Sequence, residues 1–359
     1  MMKKKVSIAL SGGVDSSVAA ALLLEEGYEV TALFMQLHDL GSYMPDKTEH
    51  PRYSCFGSNT QDSFNEAARV CDILGIKLFK IYLINEFKNY VIEYFKKEYK
   101  CGKTPNPCVV CNRTIKFGLF IEKAKASGID FDMFATGHYA RISRKGEHFL
   151  LKKGKDPSKD QSYFLYTLTS DQLSRTMFPI GSYTKEQIRI MAKSIGLANA
   201  GRKDSQDFIG KGGYSSIFDK DKIRPGKIVD KKGNILGTHR GIIHYTIGQR
   251  KGLGISSGTP LYIIRIDAKG NRIVVGEQKD LLSKELIAKD VNLIAINCLK
   301  KPVKVTAKIR YQHKEARAVI TPVGNRIKVV FDEPQSAITP GQAVVFYQDE
   351  TVIGGGTIV

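Results

Sequence analysis

The chain has 359 residues, 42% of them hydrophobic and 25% charged, which allows two or three packed domains and excludes general disorder. Lysine and arginine outnumber aspartate and glutamate 55 to 36, a formal charge of +19. That excess suits a polyanionic partner, nucleic acid first, although a merely basic soluble enzyme has the same balance. No apolar run approaches the roughly 18 residues of a membrane span, and the lysines of "MMKKK" lead into a strand-like segment instead of a signal-peptide core. A cytoplasmic protein without a membrane partner is expected.

In chain order, "KVSIAL" (Lys5–Leu10) predicts a buried strand, "SSVAAALLLEEG" a helix closed by Gly27, and "EVTALFMQ" (Glu29–Gln36) the next strand. Leu37 to Tyr53 is polar, aromatic and long for a connection, so it reads as a mobile loop over a site. "KLFKIYL" (Lys77–Leu83) and "MFATGHYA" (Met133–Ala140) add two strands, each after a helical stretch. This rhythm predicts an α/β fold with a doubly wound parallel sheet. "TKEQIRIMAKSIG" is a helix with Thr184 as N-cap, Gln187 completing a capping box and Gly196 at its end. After about residue 207 glycine, turn signals such as "DKKGN" and alternating runs ("VKVTAKIRYQ", "NRIKVVF", "QAVVFYQ") take over. The expected division is a catalytic domain over 1–207, a small mixed central domain over 208–282, and a β-barrel or sandwich over 283–359.

The strongest local signal is "SGGVDSS", Ser11 to Ser17, between the first strand and the first helix. Gly12 and Gly13 remove the Cβ atoms that would block backbone approach, and the amides and dipole at a helix start attract an anion. Ser11, Ser16 and Ser17 add hydroxyls. This is a phosphate cradle, but it is neither the Walker sequence nor the dinucleotide G-x-G-x-x-G. Its form resembles the pyrophosphate loop of ATP pyrophosphatases, which cut ATP between its α and β phosphates. The resemblance implies ATP, and Mg2+ placed with the help of Asp15.

Six cysteines (Cys55, Cys71, Cys101, Cys108, Cys111, Cys298) do not make a disulfide framework in a chain of this length. The close pair in "TPNPCVVCN" points instead to metal or thiol chemistry. Spacing alone leaves a zinc corner, a redox pair and a sulfur carrier open.

Six stretches, "SGGVDSSV", "TPNPCVVCNRTIKF", "ATGHYAR", "KDQSYFLY", "HYTIGQRKGLGI" and "TPGQAVVFY", together resemble the successive motifs of the tRNA-specific 2-thiouridylases over nearly the whole chain. The resemblance implies a pyrophosphatase-type catalytic domain, a central domain and a C-terminal β-barrel. It also implies replacement of the C2 oxygen of a tRNA wobble uridine by sulfur through an adenylated base. Residue by residue it gives Ala9, Leu10, Ser11, Gly12, Gly13, Val14, Asp15 and Ser16 as the ATP loop, with Met35 and Gly137 as further ATP contacts. Cys111 matches the catalytic cysteine, and Asn106, Pro107 and Cys108 match the segment that meets the target base. Lys159, Asp160, Gln161, Arg310 and Tyr311 match tRNA-contacting stretches, and His138 and Gln342 match single tRNA contacts.

The sequence departs from the family pattern twice. Many members have aspartate at the position of Cys108, although a C-x-x-C version exists. A later family motif carries a persulfide cysteine, whereas "DSQDFIG" (Asp204–Gly210) lacks the isoleucine–cysteine step. The expected chemistry therefore rests on Cys111 as the sulfur-bearing or attacking thiol and Cys108 as its partner, leaving a disulfide to be reduced. The rival is a 4Fe–4S cluster on Cys108, Cys111 and Cys101 or Cys55, with zinc on the same ligands as a further possibility. A relay protein's persulfide or free sulfide would supply the sulfur. The competing functions are a pyrophosphatase-type ligase acting on a small molecule, and a non-catalytic tRNA-binding paralogue.

Overall fold

The computed structural model describes residues 3–38, 60–197, 217–218 and 223–359, and the backbone of 54–56 and 207–209. Most of the expected loop over Leu37–Tyr53, the Cys55 side chain, and Asp204–Gln206 with Gly210 lie outside the described residues. Two compact units result: residues 1–90, 108–211 and 350–352 form the first, and 91–107, 212–349 and 353–359 the second.

The first unit begins with β1 (Lys5–Ala9), α1 (Val14–Glu25) and β2 (Glu29–Gln36), followed by β3 (Ser54–Phe56), α2 (Thr60–Leu74) and β4 (Lys77–Tyr82). The chain then runs through α3 (Ile84–Phe87), a π turn (Lys88–Ile92) and α4 (Glu93–Lys100), the last in the second unit. The helix α5 (Pro107–Val110) passes directly into a nine-residue π-helix (Cys111–Leu119) and α6 (Phe120–Ala126). Next come β5 (Met133–Thr136), the hairpin β6 (Ala140–Lys145) and β7 (His148–Lys153), and the short α7 (Ser162–Leu165) and α8 (Ser170–Ser174). β8 (Thr176–Met177), α9 (Lys185–Ser194) and β9 (Asp207–Ile209) complete it.

Five strands form a parallel sheet in the order β4-β2-β1-β5-β8. β1 takes the centre because Val6 and Ile8 are apolar on one face and Ser7 is small enough to be fully buried on the other. The alanines and leucines of α1 pack on it with Ala32, Phe34, Ala135, Ile188 and Ala192. Each large aliphatic side chain so buried contributes about 1.5–3 kcal/mol. The chain winds outward from β1 through β2 to β4, then returns to β5 on the opposite side. In such a sheet the ligand crevice opens at the carboxyl ends of the two central strands, which here are β1 and β5.

The strand expected over Met133–Ala140 is in fact two, β5 ending at Thr136 and β6 starting at Ala140. The reason is Gly137, which must leave the sheet to lie against the start of α1. The capping box is formed as expected: Gln187 N–H donates to Thr184 Oγ1 at 3.3 Å, Thr184 N–H donates to Gln187 Oε1 at 2.9 Å, and Gly196 follows α9 at φ +78°.

In the second unit β10 (Gly226–Val229), β11 (Ile235–His239), β12 (Tyr262–Asp267) and β13 (Arg272–Gly276) form a mixed sheet in the order β11-β10-β13-β12. Ile228, Ile263, Ile273, Val275, Tyr245 and Leu253 make its core. β14 (Leu282–Leu293), β15 (Val303–Lys308), β16 (Ala316–Val323), β17 (Arg326–Ser336), β18 (Ala343–Gln348) and β19 (Thr351–Ile358) follow. They pair in the order β14-β17-β16-β15-β18-β19, and β19 returns to β14 through Ala288–Ile358. The six strands therefore close into a barrel and not a sandwich. Alternate residues such as Ile327, Val329 and Phe331 point into it, and closure removes the free edges of a sheet.

Candidate active site

Residues 10–13 leave the carboxyl end of β1 and turn into α1. Gly12 sits at φ +75°, and a Cβ there would lie 2.5 Å from the Ser63 carbonyl oxygen, so only glycine holds this turn. Gly13 is the N-cap of α1, with extended backbone and no side-chain cap, which leaves the helix-start amides for an anion. Ser16 Oγ ties the loop together, accepting from Ser11 N–H at 3.3 Å and donating to Gly13 O at 3.1 Å. Ser17 is fully buried and its hydroxyl donates to Gly13 O at 2.9 Å, so it braces the turn and is not among the hydroxyls offered to a ligand. Ser11 is the exposed one. Gly137 closes the crevice from β5: a Cβ there would meet Ser16 N at 2.7 Å and Asp15 C at 2.9 Å. Ala9 ends β1, Leu10 is buried beyond it, Val14 opens α1, and half-buried Met35 lies near the carboxyl end of β2, on the same edge of the sheet.

Asp15, in the first turn of α1, is engaged from two directions. Tyr139 Oη donates to its Oδ1 at 2.7 Å, and Lys185 Nζ donates to Oδ1 at 2.8 Å and to Oδ2 at 2.9 Å. The Lys185 side chain is only 8% exposed and Asp15 27%, so this is a largely dehydrated ion pair beside an anion cradle. Lys185 is presented by the first residue of α9, straight after its Thr184 cap, and its own N–H donates to Asp156 Oδ2 at 3.0 Å. Tyr139 is fixed in turn by Gln161: Tyr139 N–H donates to Gln161 Oε1 at 2.9 Å, and Gln161 N–H donates to Tyr139 O at 2.8 Å.

The cysteine pair begins where Pro107 opens α5, a position that suits proline because the missing N–H is an orphan there in any case. Cys108 is half-buried and Cys111 buried, and both are thiols with no disulfide between them. Three residues apart at a helix start, they share a face. The chain widens into the π-helix at Cys111 itself, a rare geometry that is frequent at functional sites. Asn112 Nδ2 anchors this turn by donating to Phe164 O at 3.2 Å. Among the described residues no three histidine, cysteine or acidic side chains assemble into a metal-binding group. Cys101 is exposed just after α4, in the second unit, and the Cys55 side chain lies outside the described residues. Cys71 is a separate case, a core thiol pushed up to about 11 mainly by burial.

Comparison with known proteins fits this arrangement. Residues 4–211 match the family model described as tRNA methyl transferase HUP domain, 219–277 the tRNA methyl transferase PRC-barrel domain, and 283–358 the aminomethyltransferase beta-barrel domain. A tRNA-specific 2-thiouridylase MnmA of Acetivibrio thermocellus is 48% identical, with 100% of each chain covered. The chain belongs to the tRNA-specific 2-thiouridylase family. Another 2-thiouridylase, from Clostridium beijerinckii, is 47% identical over 99% of each chain. Among solved structures, a 4-thiouridine synthetase in complex with RNA and ATP is similar at 18% identity and a TM-score of 0.36, over 57% of this chain and 44% of that one. At that distance its ligands carry no argument here.

The residues that the thiouridylase resemblance assigns to tRNA lie in varied settings. His138 is buried, bonded through Nδ1 to Thr136 Oγ1 at 2.8 Å and packed between Phe117 and Phe178. Burial first, and the Lys116 ammonium second, hold its imidazole well below the usual histidine range, so it is neutral. Asp160 is also buried, its Oδ1 accepting from Gly154 N–H at 2.9 Å and Ser162 N–H at 3.1 Å, its Oδ2 from Ser162 Oγ at 2.9 Å. Lys159 and Gln161 are half-buried beside it. In the second unit Arg310 is exposed beyond β15, with Nη1 donating to Ser336 O at 3.3 Å, and Lys308 Nζ lies 5.8 Å from the Tyr311 ring. Gln342 faces the segment that precedes Asn106 and Pro107.

Tyr139 and Lys185 are the site residues that sequence reasoning missed. Tyr139 stands inside a quoted motif, "ATGHYAR", and the capping box located Lys185 at a helix start. No local signal aims either side chain at Asp15.

Proposed function

We infer that this protein is an ATP-dependent tRNA-uridine 2-sulfurtransferase acting at the wobble position. The observation that carries the reading is one unit holding both an anion cradle backed by the Asp15–Lys185 pair and a two-thiol helix that opens into a π turn. The full-length likeness to proteins named as tRNA-specific 2-thiouridylases supports it.

ATP would lie with its phosphates on the amides of Gly12 to Asp15 and its adenine toward Met35. Asp15 would hold Mg2+, which suits one carboxylate plus substrate phosphates and would offset phosphate charge. Lys185, already at that carboxylate, adds a second positive charge in a dry setting, where electrostatic stabilisation is strongest. The uridine C2 oxygen attacks the α-phosphorus, and pyrophosphate leaves from the cradle.

Sulfur then arrives from a persulfide on Cys111, loaded by a sulfane donor such as a relay protein. Its terminal sulfur attacks C2 and AMP departs, leaving the base joined to Cys111 by a disulfide bond. The Cys108 thiolate attacks Cys111 Sγ, that bond breaks, and the thiolated base is released. A Cys108–Cys111 disulfide remains, which an external thiol reduces with two electrons. Cys108 and Asn106 meet the target base, while Lys159, Arg310 and Tyr311 meet tRNA at the phosphate backbone or by stacking. We take the division 1–207, 208–282 and 283–359 to separate chemistry from tRNA recognition.

Release of pyrophosphate from ATP tests this reading against a small-molecule ligase. tRNA added to the purified protein should raise the rate strongly. A rate indifferent to tRNA and raised by an amide- or amine-bearing metabolite would favour the ligase.

A further inference from the structure

Two of the quoted motifs, "HYTIGQRKGLGI" and "TPGQAVVFY", have no part in the chemistry above. In the second unit both converge on one short stretch of chain, Gly102 to Pro105, which leads through Asn106 and Pro107 into the cysteine helix. Gln342 Nε2 donates to Thr104 O at 2.9 Å and to Pro105 O at 3.3 Å. Thr104 N–H donates to Pro340 O at 2.9 Å, and Thr104 Oγ1 lies 3.2 Å from Thr246 Oγ1. Gly341, at φ +91°, permits the approach: a Cβ there would stand 3.0 Å from Thr104 O. Gln342 is itself fixed, since Ile358 N–H donates to its carbonyl at 2.8 Å.

The need for such a clamp follows from the sequence. Residues 103–106 belong to no helix or strand, and Pro105 has no N–H with which to join one. A carbonyl in a half-buried irregular segment still requires a donor. Gln342 supplies two from the barrel, 237 and 238 residues further on. Two residues after Pro105 the helix begins, and a shift of its first turn moves Cys108 and Cys111 together.

We propose that Gln342 and Thr246 are positioning residues for sulfur transfer, fixing the segment before Asn106 and thereby the first turn that carries Cys108. The resemblance assigns Gln342 to tRNA contact, whereas in the fold its amide donates to Thr104 O and Pro105 O. The barrel residue Gln342 then bears on the thiols through the chain that leads into their helix, and not only by holding substrate. This rests on the thiouridylase reading for its function and on geometry alone for the placement.

The test uses the reduced full chain without ATP or tRNA, treated with iodoacetamide, with modification at each cysteine followed by mass spectrometry. Gln342→Glu exchanges two donors for acceptors at constant size, and Thr246→Val removes one hydroxyl; the second serves if the first fails to fold. Cys108 should alkylate faster by roughly five- to tenfold, the scale of one or two lost hydrogen bonds, with exposed Cys298 unchanged. Thiolation by the same variants should lose kcat while KM for tRNA stays. Unchanged Cys108 alkylation, or a loss confined to KM, overturns the proposal. A wild-type protein that makes no thiouridine would sink the functional reading instead, and the alkylation result would still decide the placement.

Discussion

The Asp15 carboxylate is shared between Tyr139 and Lys185, and removing either charge of so dry a pair leaves the other uncompensated. The cost for a buried pair is about 3–5 kcal/mol, whereas replacing both partners by neutral groups is often harmless. Lys185→Met should therefore lower the melting temperature clearly, and Asp15→Asn with Lys185→Met should recover most of it. Pyrophosphate release should recover in neither, because both groups are proposed to work on the phosphates; thermal denaturation beside a pyrophosphate assay separates the two effects. Recovered activity in the double variant would reduce the pair to a packing feature. This residue-scale arrangement was only half legible in the sequence. Gly12, Gly13 and Asp15 are contiguous, so their geometry follows from a strand, a turn and a helix start. Tyr139 and Lys185 lie 124 and 170 residues further on, and only the folded sheet brings them back.

Element by element, what was legible is what periodicity encodes. Alternation in "NRIKVVF" gave a strand, and the capping box gave the start of α9. Alternation could not choose between barrel and sandwich, since closure depends on β14 meeting β19, a pairing that neither strand announces. The π-helix from Cys111 was equally hidden, because buried Cys111 and Ile115, four residues apart, fit one face of an ordinary helix. The reading of Met133–Ala140 as one strand failed at Gly137, whose value lies in what a Cβ would strike. Gly137→Ala should push β5 away from the start of α1 and weaken ATP binding by at least about tenfold, some 1.4 kcal/mol. Titration calorimetry reads the affinity, and an unchanged circular dichroism spectrum would show that the fold persists. Unaltered ATP affinity would mean that the crevice does not need this close approach.

At the scale of the whole molecule the charge of +19 meets a substrate that is itself a polyanion. Affinity for tRNA built on phosphate contacts should fall steeply with salt, while the proposed two-thiol chemistry should not depend on net charge. Composition pointed to nucleic acid without naming it, and the motifs had to be read jointly to do so. The missing cysteine in "DSQDFIG" is the reason we propose Cys108 and Cys111 for the chemistry. The decisive measurement is nucleoside mass spectrometry of unmodified tRNA incubated with the purified protein, ATP, Mg2+, a sulfane sulfur donor and a thiol reductant. Wild type should form 2-thiouridine at the wobble position with one AMP released per base, and Cys111→Ser should form none while still binding ATP. Thiouridine made at the wild-type rate by Cys111→Ser, or none made by wild type with any sulfur source, would contradict the account.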